Sequence, residues 1–246
     1  MSRAAPFHRA VASQAVTEAR LTARRGQNLL AMVVLPAVAL VVLGTIGAAG
    51  DREAGPLLAA TLALAIVASG LVNLATATAY ERGYGVLKRL GGAPLGRSGL
   101  LTAKLTIVAL IAAAQVVVLI ALATVVLHWR PGTGPSVAVV AVTTLVGAAA
   151  FSAIGLLLAG TLRPEATLVA ANGLFLVALL TGGLLVPLDL LSGPWRAVAE
   201  VLPFGALAKA FEAALGAGGE VLGHLVVVAT WGLVAVIAVV RTFRWD

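Results

Sequence analysis

Six apolar stretches of the sequence are each long enough to cross a lipid bilayer as a helix. They cover residues 29–49, 56–79, 101–127, 135–162, 166–186 and 221–240. A transmembrane helix needs about 20 apolar residues, because a rise of about 1.5 Å per residue must span about 30 Å of hydrocarbon. With 61% hydrophobic and 11% charged residues, the chain also has more apolar surface than a soluble core of 246 residues could bury. The sequence therefore predicts an all-α membrane protein with six transmembrane helices.

The lysines and arginines predict how these helices are oriented. If the N-terminus is cytoplasmic, all but four of the 17 basic residues fall on the cytoplasmic side, and the exceptions are Arg52, Arg130, Arg196 and Lys209. Basic residues collect on the cytoplasmic side of membrane proteins. We therefore predict a multi-pass protein of the cell membrane with both termini in the cytoplasm. The net charge of +7 is then a topology signal and gives no reason to expect nucleic acid as a partner.

The first 27 residues predict an amphipathic helix. Arg9, Arg20 and Arg24 fall along one side of a helical projection, and alanines and valines occupy the other side. Such a segment lies flat on the cytoplasmic membrane surface, where its arginines pair with anionic lipid headgroups. We do not expect a cleavable signal peptide here, because the polar region is too long and a full-length apolar span follows it. We therefore divide the chain into this interfacial helix, residues 1–27, and a six-helix transmembrane domain, residues 28–246.

A charged island separates the second and third apolar stretches. Residues 80–99 form the predicted cytoplasmic loop, and within it Leu87 and Leu90 are spaced to share one face of a short helix that begins near Gly85. Gly91, Gly92 and Pro94 would end that helix. The loop is thus predicted to carry a short, basic-edged helix suited to docking on a soluble partner.

This island resembles the cytoplasmic loop of ATP-binding-cassette (ABC) exporter permeases of the type-two export family. The matching residues are Glu81, Arg82, Gly85, Leu87, Leu90 and Pro94, whereas Gly83 and Val86 stand where the family usually has Glu and Thr. The resemblance implies that the six matching residues couple the permease to cytoplasmic ABC ATPase subunits. It also implies that the chain is half of a permease dimer, paired with a second copy or a homologous permease, and that the N-terminal helix helps to grip the ATPase. Plain membrane anchoring would explain the N-terminal helix equally well.

Residues 187–219, between the fifth and sixth stretches, cannot form another span. Pro187, Pro194 and Pro203 divide them into helical pieces too short to cross the bilayer, so these pieces must re-enter the membrane or lie on its surface. Their order resembles the external re-entrant hairpin of the same family, which caps the substrate path. An interfacial loop anchored by Trp195 and Phe204 is equally compatible with the residues.

Polar side chains inside the spans are the remaining candidates for function. Amides such as Gln115 in lipid must face a partner helix or a cavity, and bonding between helices is their commoner use. The resemblance implies a substrate pathway lined mainly by spans one, two and five, which selects Asn73, Asn172 and Thr181. Apolar walls with a few amides favour an amphiphilic or hydrophobic cargo such as a drug, a lipid or a peptide.

Several other functions are disfavoured by the residues. The chain has no Gly-x-x-x-x-Gly-Lys-Ser/Thr loop and no cysteine, so we predict no bound cofactor, with ATP and Mg on the partner ATPase. Ser152 and His224 resemble the pair of a rhomboid-type protease, but their predicted depths differ too much for a hydrogen bond. We predict the permease subunit of an ATP-driven exporter, itself not an enzyme. The alternative is a six-span membrane protein of another class, such as a secondary transporter, a channel or a scaffold.

Overall fold

The computed structural model describes residues 26–45, 54–87, 96–132 and 136–243, and these ranges are helical with no strand. The α-helices are α1 (Gly26–Thr45), α2 (Ala54–Val67), α3 (Leu74–Gly83), α4 (Gly96–Val126), α5 (Val137–Thr161), α6 (Pro164–Thr181), α7 (Gly193–Val201), α8 (Pro203–Ala214) and α9 (Val221–Thr242). A π-helical segment, Ala68–Asn73, joins α2 to α3, and a short 3-10 turn covers Leu188–Leu190. The all-α prediction is confirmed for the described part of the chain.

Within the described ranges, five helices are long and apolar enough to cross a membrane. They are Ala54–Gly83, which comprises α2, the π segment and α3, followed by Ser98–Val126, Val137–Thr161, Pro164–Thr181 and Val221–Thr242. Within α1, Met32–Thr45 forms a shorter apolar helix. The structure thus supports a multi-pass membrane protein, and the count of six spans stays a prediction.

The C-terminal ends of the second and fifth spans differ from the sequence prediction by several residues. The second span was expected to stop at Ala79, but its helix continues to Gly83 and takes in the first residues of the predicted loop. The fifth span was expected to reach Val186, but α6 ends at Thr181 because Gly182 and Gly183 follow, the latter with a φ of 82°. Such a left-handed conformation costs glycine little and breaks the helix.

The helix formed by α2, the π segment and α3 lies at the centre of the bundle. Its first half, α2, packs against α1, α4, α5, α6 and α8 and is almost fully buried. The π segment then crosses α5 at very close range, since a Cβ on Gly155 would lie 2.8 Å from the carbonyl oxygen of Gly70. Only glycine at position 155 allows the two backbones this approach. The central helix therefore contacts nearly every other long helix.

The helices α7 and α8 form a hairpin whose tip lies against the middle of α9 and against α5. Trp231 Nε1 donates a hydrogen bond of 3.0 Å to the carbonyl oxygen of Val201, at the end of α7. Trp231 lies ten residues into α9, which is about 15 Å along its axis. Phe204, in the first turn of α8, stacks on Phe151 with ring centroids 5.4 Å apart. At the other end of α8, Gly132 N donates to the Leu215 carbonyl at 3.2 Å.

Candidate functional site

The predicted coupling residues lie at the end of the central helix. After Gly83 the chain turns at Tyr84 and Gly85, where the Tyr84 amide donates to the Tyr80 carbonyl at 2.9 Å and Gly85 has a φ of 69°. Tyr84 is 75% exposed and Val86 is 36% exposed. The rings of Tyr80 and Tyr84 stack with centroids 6.2 Å apart, which orients the exposed ring. We call residues 84–86 the coupling tip.

The structure places Leu87 differently from the sequence prediction. The predicted docking helix had Leu87 and Leu90 on the face offered to a partner, but Leu87 is only 1% exposed. Its side chain is therefore not at the surface of the chain. The spacing of the leucines showed that one face is apolar, and the protein itself covers Leu87 on that face. Leu90 and Pro94 lie outside the described residues.

Glu81 and Arg82 also face their own chain. Glu81 Oε2 lies 2.7 Å from Lys104 Nζ, with side chains 17% and 3% exposed respectively. Arg82 Nη1 donates to the carbonyl oxygen of Gly160 at 2.8 Å, and its Nη2 donates to the carbonyl oxygen of Leu162. These two residues therefore connect the end of the central helix to α4 and to the end of α5.

The departure of Gly83 from the family pattern has a steric reason in this chain. A Cβ on Gly83 would lie 2.9 Å from Cγ of Pro164, the first residue of α6. A glutamate at this position would collide with that ring unless the two helices moved apart. Gly83 thus lets α3 dock on the turn between α5 and α6.

The predicted pathway residues lie on two helices that pack together. Asn73 ends the π segment and is half-buried, and both the π segment and α3 pack against α6. Asn172 is exposed on α6, where its Nδ2 donates to the Leu168 carbonyl of its own helix at 2.8 Å. Thr181 ends α6, and its hydroxyl donates to the Val177 carbonyl at 2.8 Å. The structure therefore puts Asn73 on the π segment and the other two residues on α6, where both make hydrogen bonds within that helix.

Gln115 joins two helices, as its commoner use predicts. Its Nε2 donates to the carbonyl oxygen of Met32 in α1 at 2.9 Å. Pro36 lies four residues after Met32 and has no amide hydrogen, so this carbonyl lacks its normal helical donor. Gln115 supplies the missing hydrogen bond from the neighbouring helix, which is how membrane helices tolerate proline.

Two clefts lie beside the hairpin. One is lined by residues that include Pro56, Pro187 and the ion pair Lys209 to Glu212, whose charged atoms are 3.1 Å apart. The other has an apolar lining from α2, α6 and Phe204. Gly182 lines both clefts, so the end of α6 borders each of them.

The described residues contain no cluster of three or more His, Asp or Glu side chains that could hold a metal ion. Ser152, the serine of the rejected protease pair, is fully buried in α5. Its amide nitrogen would lie 3.2 Å from a Cβ on Gly70, so it belongs to the crossing with the π segment.

The partners of Glu81 and Arg82 were not predicted from the sequence. Lys104 is one of the basic residues that predict the cytoplasmic side, and no partner was predicted for it. A lysine that falls within an apolar helix, eight residues after its start at Gly96, indicates a partner of opposite charge, because an isolated charge there is costly. That argument could have paired Lys104 with Glu81, whereas the carbonyl partners of Arg82 carry no side-chain signature.

Comparison with known proteins agrees with this architecture. A family model described as "ABC-2 type transporter" matches residues 14–215, which is most of the chain. A search of curated proteins gave no match. The matched region includes the central helix, the coupling tip and the hairpin. This chain therefore belongs to the ABC-2 type transporter family and is a membrane-spanning permease subunit of an ABC transporter.

Proposed function

We propose that this permease subunit is half of a dimer that moves an amphiphilic or hydrophobic molecule outward across the cell membrane. Separate cytoplasmic ATPase subunits, with which family membership implies association, supply the energy by hydrolysing ATP with Mg. The observation that carries the proposal is the exposed coupling tip at the end of the most buried helix of the bundle. A force applied at that tip acts directly on the helix that contacts most of the others.

The coupling tip is the proposed contact with the ATPase. Tyr84 offers a large ring held by its stacking on Tyr80, and Val86 adds apolar surface beside it. Aromatic side chains of this kind contribute most to protein interfaces. Gly85 allows the backbone to turn at the tip, and the buried Leu87 anchors the chain after it. Neither residue is proposed to touch the ATPase, so their role in coupling is indirect. We keep Leu90 and Pro94 as proposed coupling residues on the resemblance alone.

Affinity purification of the tagged chain in mild detergent tests this contact. We expect a soluble ATPase to accompany the wild-type chain, and Tyr84→Ala to lower its affinity by about 2 kcal/mol, roughly 30-fold in Kd. Trp195→Ala is the matched control, because Trp195 is a similarly exposed aromatic residue on the hairpin. Equal recovery of the ATPase with both variants would rule out the coupling tip as the contact.

The exposed face of α6 is the proposed dimer interface. Asn172 and Gly173 lie on this face with Val169, Leu176 and Leu180, all of them exposed. The exposed face of α4, by comparison, is lined by apolar residues such as Leu110 and Val117 and suits contact with lipid. An amide exposed to acyl chains is costly, and a small residue beside it lets another helix come close. Both features favour a second permease on α6.

Cross-linking tests this interface cleanly, because the natural chain contains no cysteine. Gly173→Cys should form a disulfide-linked dimer in the membrane under mild oxidation. Val117→Cys, at an exposed position on α4, is the control and should stay monomeric. The reverse pattern of cross-linking would contradict a dimer formed through α6.

The pathway is proposed to follow α6 and the π segment, past Asn73, Asn172 and Thr181. Packing of the π segment and α3 against α6 supports this route, as does the apolar lining of the cleft between α2 and α6. A route with apolar walls and a few amides suits amphiphilic cargo. In the reconstituted complex, amphiphilic drugs or lipids should stimulate ATP hydrolysis more than highly charged solutes of similar size. Stimulation by the charged solutes alone would overturn this choice of cargo.

The proposed topology has six spans, cytoplasmic termini and a re-entrant hairpin in residues 187–219. The hydrogen bond from Trp231 to Val201, deep along α9, supports re-entry of the hairpin over a surface loop. The predicted N-terminal helix with Arg9, Arg20 and Arg24 lies outside the described residues, and we propose it as a membrane-surface helix on the sequence alone. In intact cells, an impermeant thiol reagent should label Trp195→Cys and leave Val86→Cys unlabelled. Labelling of Val86→Cys from outside would refute the topology and the coupling proposal together.

A further inference from the structure

We propose that Glu81 and Arg82 are positioning residues that fix the coupling tip to the inner ends of α4 and α5, so that these helices move with the tip as one body. The inference rests on the proposed function, in which an ATPase moves the coupling tip. It differs from the role that the family resemblance implies, because these two side chains face the bundle. We call the two residues with their partners the inner clasp.

The first half of the inner clasp is the ion pair between Glu81 and Lys104. Its atoms are 2.7 Å apart, and the lysine side chain is 3% exposed. The pair joins the central helix to α4, whereas the pair Arg196 to Glu200 lies within the single short helix α7. A buried ion pair resists sliding, because any displacement leaves each charge without its partner in a medium of low dielectric constant.

The second half of the inner clasp is the contact of Arg82 with the end of α5. Its two terminal nitrogens donate to the carbonyl oxygens of Gly160 and Leu162. The last carbonyls of a helix lack partners within the helix and carry the negative end of its dipole. A planar guanidinium can satisfy two of them at once with fixed geometry, which a lysine cannot do.

The two contacts act in different directions around the same helical turn. Glu81 reaches α4 and Arg82 reaches α5, while Gly83 in the same turn abuts Pro164 at the start of α6. Three neighbouring helices are therefore held at the level of the coupling tip. A push on Tyr84 is transmitted to α4 and α5 through charges and hydrogen bonds as well as through apolar packing, which alone would allow sliding.

Distance measurements between paired spin labels test the inner clasp. In the cysteine-free chain, labels are placed at Val86→Cys on the coupling tip and at Val142→Cys, an exposed position on α5. The complex contains the ATPase that co-purifies with the tagged wild-type chain. With Glu81 and Arg82 intact, the distance distribution should be the same without nucleotide and with ATP plus vanadate, because tip and helix move together.

The variants should lose this invariance. In Arg82→Gln, ATP plus vanadate should shift or broaden this distribution, since the ATPase then moves the tip without α5. In Glu81→Gln the same change should appear when the second label is on α4, at the exposed position Val117→Cys. The charge exchange Glu81→Lys with Lys104→Glu should give the same tip-to-α4 distribution with and without nucleotide, as in the intact chain. Arg82→Lys should keep the tip-to-α5 distribution unchanged only in part. Arg163→Gln is the matched control, an exposed arginine on the adjoining turn, and should behave as the intact chain.

The outcomes separate the two proposals. Absence of any ATPase from the purified wild-type chain refutes the proposed function. If the ATPase binds, a nucleotide-dependent shift of equal size in the intact chain and in Arg82→Gln refutes the inner clasp and leaves the proposed function standing. A general loss of folding would alter the distribution without nucleotide as well, and the charge exchange would not reverse it.

Discussion

Replacing Gly155 by alanine should destabilise the bundle at the crossing between α5 and the π segment. The added Cβ would lie 2.8 Å from the carbonyl oxygen of Gly70 and 3.0 Å from that of Leu71. Ordinary contact begins near 3.4 Å, so the two backbones must separate by several tenths of an ångström. Both opposing atoms belong to the backbone of the central helix, which is packed on all sides and cannot rotate away as a side chain would.

The expected magnitude is the difference between two effects. Overpacking a tight site by one methyl group costs about 1–3 kcal/mol. Alanine regains up to about 1 kcal/mol over glycine through its helix propensity. The net loss is about 1–2 kcal/mol, and a chain of this size loses about 2–4 °C of Tm per kcal/mol, so Tm should fall by about 2–8 °C.

The assay is thermal unfolding followed by the fluorescence of the four tryptophans, in a detergent that keeps the chain monomeric. Gly173→Ala is the matched control, because a Cβ there meets nothing within 4 Å and only the gain in helix propensity applies. The control should melt at or slightly above the wild-type temperature. If Gly155→Ala and Gly173→Ala melt together, the close crossing does not exist as described, and the reasoning from it fails.

Three further substitutions have defined outcomes. Gln115→Leu removes the hydrogen bond of 2.9 Å to the Met32 carbonyl and should lower the free energy of unfolding by about 1 kcal/mol, which is measured as a lower Tm. An unchanged Tm would show that this carbonyl has another donor. Leu87→Asp buries an unpaired carboxylate at a position where the side chain is 1% exposed, so we expect a low yield of folded protein. Normal expression with loss of ATPase binding alone would instead place Leu87 at the docking surface. Trp231→Phe loses the hydrogen bond to Val201 and should lower the free energy of unfolding by about 0.5–1.5 kcal/mol. A thiol placed at position 201 should then react faster with water-soluble reagents, and unchanged accessibility would argue against this anchor.

The spans were predictable from the sequence because lipid demands long apolar helices and leaves few alternatives. The same rule predicted that residues 187–219 would form short helices, and Pro194 and Pro203 do lie in the first turns of α7 and α8. Proline is suited to that position, where its missing amide hydrogen costs nothing. The end of α6 was predicted less well, since the apolar residues Leu184, Leu185 and Val186 continue past the glycines that end the helix.

The directions of side chains at the site could not be read from the sequence. The leucine spacing in residues 80–95 defines an apolar face, but a face packed on the protein's own bundle has the same spacing as one that docks on a partner. Glu81 and Arg82 matched a family pattern that says nothing about which way they point. Their partners, Lys104 and the carbonyls at the end of α5, are distant in sequence and are brought close only by the packing of three helices.

Polar groups inside a membrane protein can be read as a set in which each requires a partner. Pro36 frees a carbonyl in α1, and Gln115 on α4 satisfies it, so two residues that look unrelated in the sequence explain each other. Glu81 and Lys104 form a second such pair. Asn172 differs, because it bonds only within its own helix and is exposed on α6 beside Gly173. An amide exposed to acyl chains is costly, and a small residue beside it lets another helix come close, so Asn172 and Gly173 are the main reason to propose that another permease covers α6.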